Sequence, residues 1–383
     1  MDAKTSELGA FEEIKSVGLL KFELLASGIR ISPQAERFLK GAKRPIRTRS
    51  GSSGGLDIVL PQNVHVNAPV NEQFASNSPL TLDCVSDKLI IRRGEDILTQ
   101  AELQPIPGYY NLRTQEGMPM VKVAQMCSGD RFCYGMTGPY CWFWKRDRRC
   151  KYCSIGLNKD RDASRKVVDQ LLEVLAVATE DPTIPAKHVL IGGGTPDGED
   201  MGAVRASELC KSIKKRFNLS CYVMICAPLE NKYIDMLYDA GADELGMNIE
   251  FYSDAAWEEF IPGKHRYIGK KRYLEALEYA VSLFGPINTR SLIIVGLEKP
   301  EYTIEGAEKL ASMGVMPILS PFRPLTGTDL EGRRGFDHRT YWNIYTEIHQ
   351  RVAKYAIPTG PTCIACQNNI LALPLSTGEY RFY

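Results

Sequence analysis

The sequence predicts an α/β fold, a partial (β/α)6 TIM-like barrel with an N-terminal extension and a C-terminal tail. Between about residues 130 and 330, six short and nearly continuous apolar runs alternate with segments of helical periodicity. Apolar runs separated by helices indicate parallel strands joined by right-handed crossovers. Six such units in about 200 residues favour a barrel or part of one. A doubly wound sheet is the alternative fold.

The predicted elements alternate regularly along this region. The strands are predicted at Arg131–Gly138, His188–Gly193, Cys221–Ala227, Glu244–Ile249, Ser291–Gly296 and Met316–Ser320. The helices are predicted at Ser164–Ala178, Ala203–Phe217, Asn231–Ala240, Lys271–Phe284 and Thr303–Met313. In the first of these helices, Val168, Leu171 and Leu175 recur at helical spacing.

Three parts follow from this pattern. Residues 1–125 form a mixed α/β N-terminal extension, residues 126–330 the barrel core, and residues 331–383 a C-terminal helix and a cysteine-containing tail. The last helix is predicted at Arg339–Lys354, because Trp342, Tyr345 and Val352 lie on one face.

Composition excludes several classes of protein. Of 383 residues, 47 are Lys or Arg and 46 are Asp or Glu, and the formal net charge of +1 argues against a nucleic-acid clamp. No apolar run approaches the ~18 residues that a membrane helix needs. The mixed, acidic segment Met1–Ile14 does not resemble a secretory signal. We therefore expect a cytoplasmic protein whose 11 cysteines are reduced thiols, metal ligands or reactive groups.

The densest chemical signal is a group of three cysteines on the loop after the first predicted strand. Cys141, Cys150 and Cys153 fall within 13 residues. Thiolates suit zinc or iron–sulfur clusters. Four cysteines close a structural site, whereas three leave a metal position open for chemistry. The cysteines alone leave both interpretations open, a zinc knuckle with a fourth ligand elsewhere and a catalytic centre.

The position of these cysteines favours chemistry. The loop lies at the C-terminal edge of the predicted strands, where such barrels place their active sites. The second predicted strand ends in Gly192, Gly193 and Gly194. Glycines at that point let backbone groups approach a ligand closely.

This combination resembles the radical S-adenosylmethionine (SAM) superfamily. The usual family spacing between the cysteines is three residues and then two, and here it is eight and then two. Tyr152 precedes the last cysteine, as an aromatic residue commonly does in the family. The resemblance implies that Cys141, Cys150 and Cys153 bind a [4Fe–4S] cluster, whose fourth iron takes the amino and carboxylate groups of SAM. It also implies that the backbone around Tyr152 meets adenine and that Gly192–Gly194 meet the SAM amino group.

Polar residues after later strands extend the resemblance. Asn248 and Glu250 end the fourth strand, where the family holds polar groups for the ribose or amine of SAM, and a capped strand end is the alternative. Arg323 follows the sixth strand and is suited to bind a carboxylate, with a surface arginine on a turn as the alternative. The segments Gly108–Asn158 and Pro321–Thr328 are similar to biotin-synthase-like members, among which we include the archaeal two-protein lipoyl synthases.

A second group of cysteines is the candidate for an auxiliary iron–sulfur cluster. Cys363 and Cys366 form a CxxC pair in the tail, and Cys127 and Cys133 precede the cysteine loop. If the four converge, they are suited to hold a second cluster; otherwise Cys127 and Cys133 are small core residues. His188, which opens a strand, is interpreted as structural. The cysteines interpreted as core are Cys84, Cys210, Cys221 and Cys226.

The resemblance implies an enzyme in which one electron from the reduced cluster cleaves SAM to methionine and a 5′-deoxyadenosyl radical. That radical abstracts hydrogen from an unactivated carbon. Sulfur insertion from an auxiliary cluster is one outcome, and rearrangement or carbon–carbon bond chemistry on a small metabolite is the other. A non-catalytic zinc- or cluster-binding protein remains the third possibility. The expected partners are a reductant such as ferredoxin or flavodoxin and a small-molecule or carrier-protein-bound substrate, with neither nucleic acid nor membrane.

Overall fold

Two seven-stranded sheets organise the chain in the computed structural model. The structure describes residues 3–42, 47–48, 54–127, 129–145, 147–157, 163 and 167–374. Among these residues, no helix is both long enough and apolar enough to cross a membrane.

The N-terminal extension forms the first sheet, which is mostly antiparallel and is covered by a long helix. Its elements are α1 (Ala3–Ser27), β1 (Arg30–Ile31), α2 (Pro33–Gly41), β2 (Arg47–Thr48), β3 (Gly54–Leu60), β4 (Val64–Pro69), β5 (Leu80–Val85), β6 (Lys88–Arg93) and β7 (Asp96–Leu103). The strand order is β1-β5-β6-β7-β3-β2, and β4 pairs with β3. Helix α1 packs on β4 and buries Phe22, Leu24 and Leu25.

The second sheet is the barrel core. Its elements are α3 (Met120–Val123), β8 (Gln125–Cys127), β9 (Arg131–Gly135), α4 (Val168–Thr179), β10 (His188–Gly192), α5 (Ala203–Arg216), β11 (Ser220–Ile225), α6 (Lys232–Asp239), β12 (Glu244–Met247), α7 (Asp254–Phe260), α8 (Pro262–Tyr267), α9 (Lys270–Phe284), β13 (Thr289–Val295), α10 (Pro300–Ser312) and β14 (Met316–Pro321). Strands β9 to β14 are parallel and follow one another in chain order, and β8 joins β9 antiparallel.

This order confirms the partial barrel. A doubly wound sheet reverses its strand order at a switch point, and β9 to β14 show no reversal. The two end strands, β8 and β14, do not pair in the described part of the chain, so the barrel is open.

All six predicted strands are present, with ends shifted by a few residues. The first predicted helix is described only from Val168, because residues 164–166 lie outside the described residues. Helices α7 and α8 were not predicted. They have 7 and 6 residues and are divided by Pro262 at the start of α8, so neither is long enough to show a helical period.

The tail begins with α11 (His338–Val352), whose N-cap Asp337 accepts hydrogen bonds from the backbone N–H groups of Arg339 and Thr340. The segment after it packs between the two sheets. The Leu371 N–H donates to Leu319 O at 2.7 Å in the barrel. The Lys21 ammonium of α1 donates to the carbonyls of two tail residues, Gln367 and Ala372. Because these contacts join all three parts of the chain, the division at residues 125 and 330 stays a prediction.

Candidate functional site

The three cysteines of the loop after β9 share one partly buried environment at the carboxyl ends of the strands. The Cys153 N–H donates to Cys150 O at 3.1 Å, which forms a tight turn between them. The Ile155 N–H lies 3.5 Å from Cys153 Sγ, and the Thr195 N–H lies 3.4 Å from Cys141 Sγ. Two backbone donors therefore already point at cysteine sulfurs, as they do where a thiolate carries charge.

Burial holds these thiols protonated in the absence of a metal. It raises the pKa of Cys153 to about 12 and that of Cys150 well above its usual range, and it also raises the pKa of Cys141. The charge of Glu250 adds to the effect at Cys150, and the nearby Lys264 ammonium opposes it. Because ligand cysteines bind metals as thiolates, a metal that replaces the proton removes this cost.

The glycines after β10 are required by two different constraints. A Cβ on Gly194 would lie 2.0 Å from Tyr140 O and 2.7 Å from Cys141 Cβ, so Gly194 packs directly against the cysteine loop. Gly193 has a φ of +122°, which side chains rarely adopt. Gly192 ends β10 with a negative φ, and an added Cβ would lie 3.3 Å from Met224 Cε, a tight contact with a flexible side chain. Close packing of the loop therefore explains Gly194, and backbone conformation explains Gly193.

A buried ion pair lies beside the cysteine loop. Glu250 follows β12 with a φ of +63°, and its Oε1 accepts a hydrogen bond from Lys264 Nζ at 2.7 Å. Both side chains are about nine-tenths buried. The other oxygen, Glu250 Oε2, is buried and makes no hydrogen bond of ordinary geometry within the described ranges. The Tyr152 hydroxyl lies close to this carboxylate. A ligand donor that binds Glu250 Oε2 would therefore share the carboxylate with Lys264 and Tyr152.

Two other predicted site residues bind backbone groups of the protein itself. Asn248 Oδ1 accepts a hydrogen bond from the Leu292 N–H at 3.1 Å. This contact is the one expected if Asn248 caps the end of its strand. Arg323 Nη2 donates to Asn369 O of the tail at 3.4 Å. A contact of either residue with SAM or a carboxylate stays a prediction.

A cavity of about 300 Å³ lies inside the barrel. Its lining includes Arg131 at the start of β9 and Gly192 at the end of β10, so it spans the length of these strands. Cys153 lines it from the cysteine loop, and Cys127 and Cys133 line it from β8 and β9. This volume is at the lower end of the range for small-molecule sites.

The tail cysteines lie together, but their nearest metal-ligating neighbour is a histidine. His188 Nε2 lies 3.8 Å from Cys363 Sγ and 3.6 Å from Cys366 Sγ. Throughout the described residues, these three form the one group of three His, Cys, Asp or Glu ligand atoms within 4.8 Å of one another. Cys127 and Cys133 are not part of it. The interpretation of His188 as structural missed this arrangement.

Further residues near the cysteine loop were also missed. Lys264 lies on the unpredicted helix α8. Cys226 directly follows β11, and its Sγ lies 3.1 Å from Thr195 Oγ1. Its burial agrees with a core residue, yet its position just after a barrel strand was a signal for the site.

The model of the Radical SAM superfamily matches residues 147–311, a match that begins between Cys141 and Cys150. This part of the chain therefore belongs to the radical SAM superfamily, and the assignment made from the cysteine loop is confirmed. The superfamily consists of enzymes with SAM-dependent radical chemistry.

The individual relatives match only in part. A stretch of 104 residues is 30% identical to bacteriochlorophyllide c C-7(1)-hydroxylase of Chlorobaculum limnaeum, and it covers 27% of this chain and 26% of that protein. SuiB of Streptococcus suis, solved bound to S-adenosylmethionine, matches with a TM-score of 0.45 at 14% identity, over 58% of this chain and 48% of that one. The radical S-adenosylmethionine methyltransferase TsrM of Kitasatospora setae matches with a TM-score of 0.35 at 14% identity, over 48% and 36%. The chain thus spans about a quarter of the curated relative and less than half of these solved chains.

Superfamily membership implies a [4Fe–4S] cluster and SAM, and the residues present fit both. The sulfur atoms of Cys141, Cys150 and Cys153 do not all lie within 4.8 Å of one another. Cys153 and Cys141 nevertheless lie near enough to Cys150 to add, after burial and Glu250, to the rise in its pKa. Ligands that bind different irons of one cluster are neighbours without sharing a single point. Glu250 Oε2, buried without a hydrogen bond of ordinary geometry in the described residues, offers a polar contact for SAM beside the loop.

Proposed function

We propose that this protein reductively cleaves SAM and uses the resulting 5′-deoxyadenosyl radical to abstract hydrogen from an unactivated carbon. The observation that carries the proposal is the cysteine loop, with Cys141, Cys150 and Cys153, packed on the glycines of β10 above an internal cavity. When bound, the cluster supplies the electron that breaks a carbon–sulfur bond of SAM. An external reductant such as ferredoxin or flavodoxin restores that electron.

The chain's own residues position SAM. Gly193 gives the backbone a conformation that brings it close to a ligand without a side chain in the way. Glu250 Oε2 accepts a hydrogen bond from the amino group or a ribose hydroxyl of SAM. Lys264 holds the other carboxylate oxygen, and so keeps Glu250 oriented. A hydrogen bond to a charged group of this kind contributes about 1.5–3 kcal/mol.

The substrate occupies the cavity inside the barrel. Most of the side chains that line it are apolar, which limits the access of water to a reactive radical. Arg131 is the cation in that lining, and its Nε is buried without a hydrogen-bond partner in the described part of the chain. A guanidinium in this position recognises a carboxylate or another anionic group. We therefore propose a small or carrier-bound substrate with an anionic group directed at Arg131.

Sulfur insertion is the second candidate. The observation that favours it is that Cys127 and Cys133 line the same cavity as Cys153. An auxiliary cluster on Cys127 and Cys133 needs Cys363 and Cys366 as further ligands. Rearrangement or carbon–carbon bond chemistry needs no second cluster.

Anaerobic reconstitution tests the proposal. The wild-type protein should bind about four irons with matching sulfide and form 5′-deoxyadenosine from SAM under a strong reductant. Cys141→Ala, Cys150→Ala and Cys153→Ala should each abolish that product, whereas Cys84→Ala, in the N-terminal sheet, should retain it. Product from any one of the three variants would remove that residue from the ligand set. Zinc without iron at these cysteines would refute the radical reaction.

The same reconstitution separates the two outcomes. Clearly more than four irons, lost in Cys363→Ala/Cys366→Ala, would support an auxiliary cluster and sulfur insertion. About four irons in both proteins would favour a reaction without sulfur transfer.

A further inference from the structure

The amino ends of the barrel strands hold a group of metal-ligating side chains that the proposed function does not use. His188 is the first residue of β10, at the opposite end of that strand from the glycines. Cys363 and Cys366 come from the tail, 175 and 178 residues further along the chain. All three are buried, with at most 8% of their surface exposed.

Their spacing matches the ligands of a single metal ion. A tetrahedral zinc ion with Zn–S bonds of about 2.3 Å and Zn–N bonds of about 2.1 Å holds nitrogen and sulfur about 3.6 Å apart. The observed separations from His188 Nε2 are 3.6 Å to Cys366 Sγ and 3.8 Å to Cys363 Sγ. In an iron–sulfur cluster, protein ligands are distributed over different irons and cannot all lie this close together.

A fourth donor lies next to the histidine. Asp130, in the turn before β9, places Oδ1 at 3.4 Å from His188 Nε2. That oxygen is buried, and its contact with His188 is an ion-pair distance rather than a hydrogen bond of ordinary geometry. It lies outside the group of three atoms within 4.8 Å of one another, so Asp130 must move toward the cysteines to bind the same ion.

We propose that His188, Cys363 and Cys366 bind one zinc ion, with Asp130 as the fourth ligand. Four protein ligands leave no open position, so the ion is structural. It fastens the tail to the amino ends of β9 and β10, away from the cysteine loop. The site also takes two of the four cysteines predicted for an auxiliary cluster, and it therefore argues against sulfur insertion.

Metal analysis of the full-length protein tests this site without reference to activity. Zinc should be present at about one per chain, both in the wild type and in the Cys141→Ala/Cys150→Ala/Cys153→Ala variant, which lacks the catalytic cluster. Persistence in that variant keeps the test separate from the proposed function.

Variants of the ligands sharpen the test. Cys363→Ala and His188→Ala should lose the zinc, and His188→Cys, which keeps a soft donor, should restore it. Cys84→Ala should retain full occupancy as the matched control. Asp130→Ala should retain zinc but lose it to a chelator at a rate at least tenfold higher, because water replaces the carboxylate.

Cobalt gives an optical readout. After zinc is removed from the triple variant, added Co²⁺ should give the thiolate charge-transfer and visible absorption bands of a tetrahedral site, and Cys363→Ala on the same background should give neither. Iron and sulfide held by Cys363 and Cys366 would overturn the proposal in favour of a cluster. Absence of zinc together with failure to bind Co²⁺ would overturn it altogether.

Discussion

Replacing Lys264 with methionine tests the ion pair beside the cysteine loop. Methionine keeps the length of the side chain but removes the ammonium that lies 2.7 Å from Glu250 Oε1. Both residues are under 10% exposed, so the Glu250 carboxylate would be left without a counter-charge at a site shielded from water. Breaking such a pair from one side costs about 3–5 kcal/mol. We expect a loss of this size in the free energy of unfolding.

A double variant separates the pair from its surroundings. Glu250→Gln/Lys264→Met removes both charges and retains two side chains of similar volume. Neutral replacement of a buried pair is often close to neutral in stability, so the double variant should recover most of the loss. A positive coupling energy between the two positions is the signature of the pair.

Urea unfolding of the metal-free protein, under reducing and anaerobic conditions, measures these differences. Lys232→Met is the matched control, because its ion pair with Glu230 is exposed and its loss should leave the unfolding midpoint unchanged. The reasoning would be refuted if Lys264→Met unfolded at the wild-type midpoint. A double variant less stable than Lys264→Met would equally show that the two charges do not compensate each other.

Three further predictions concern other parts of the molecule. Gly194→Ala should lower the iron content after reconstitution, because the added Cβ would overlap the cysteine loop. Gly332→Ala should retain the wild-type iron content, because no atom lies within 4 Å of its added Cβ. Equal iron contents in the two variants would contradict this prediction. Burial lowers the pKa of Lys21 to about 7 in the folded protein. Above that pH the unfolded chain holds a proton on Lys21 that the folded chain has lost. The free energy of unfolding should therefore rise between pH 7 and 9. Urea midpoints of Lys21→Met should rise less over that interval, and an equal rise would count against the shifted pKa. Asn248→Ala leaves the Leu292 N–H without its acceptor, and it should lower the free energy of unfolding in urea by about 1–3 kcal/mol. An unchanged urea midpoint would show that water replaces the side-chain amide.

The barrel strands were predictable because each is nearly continuous in apolar residues, the pattern of a strand covered on both faces. The cysteine loop stands out in the sequence because its three cysteines are close together along the chain. Lys264 was not, since α8 has 6 residues and its carboxylate partner Glu250 lies on a different element. The group formed by His188, Cys363 and Cys366 depends on how the tail folds back over the sheet. Spacing along the chain carries no information about such a contact.

Asn248 shows a different limit. Its position after β12 places it at the carboxyl edge of the sheet, but position does not reveal which atom the side chain meets. In the structure its carbonyl oxygen meets the neighbouring strand β13. Polar residues at strand ends serve both ligands and backbone groups, and only coordinates distinguish the two.

The path of the tail has a consequence for the order of events during synthesis. Lys21 is an early residue, yet the carbonyls that receive its ammonium belong to Gln367 and Ala372, so α1 emerges from the ribosome long before its partners. Until then, the amino group of a lysine that the finished protein buries must remain hydrated or meet other partners. Domains usually fold from the N-terminus as they are made, but here α1 and the amino ends of the barrel strands cannot reach their final packing until the last segment arrives. Interruption of synthesis before residue 367 would therefore leave the first helix, and not only the tail, without its native contacts.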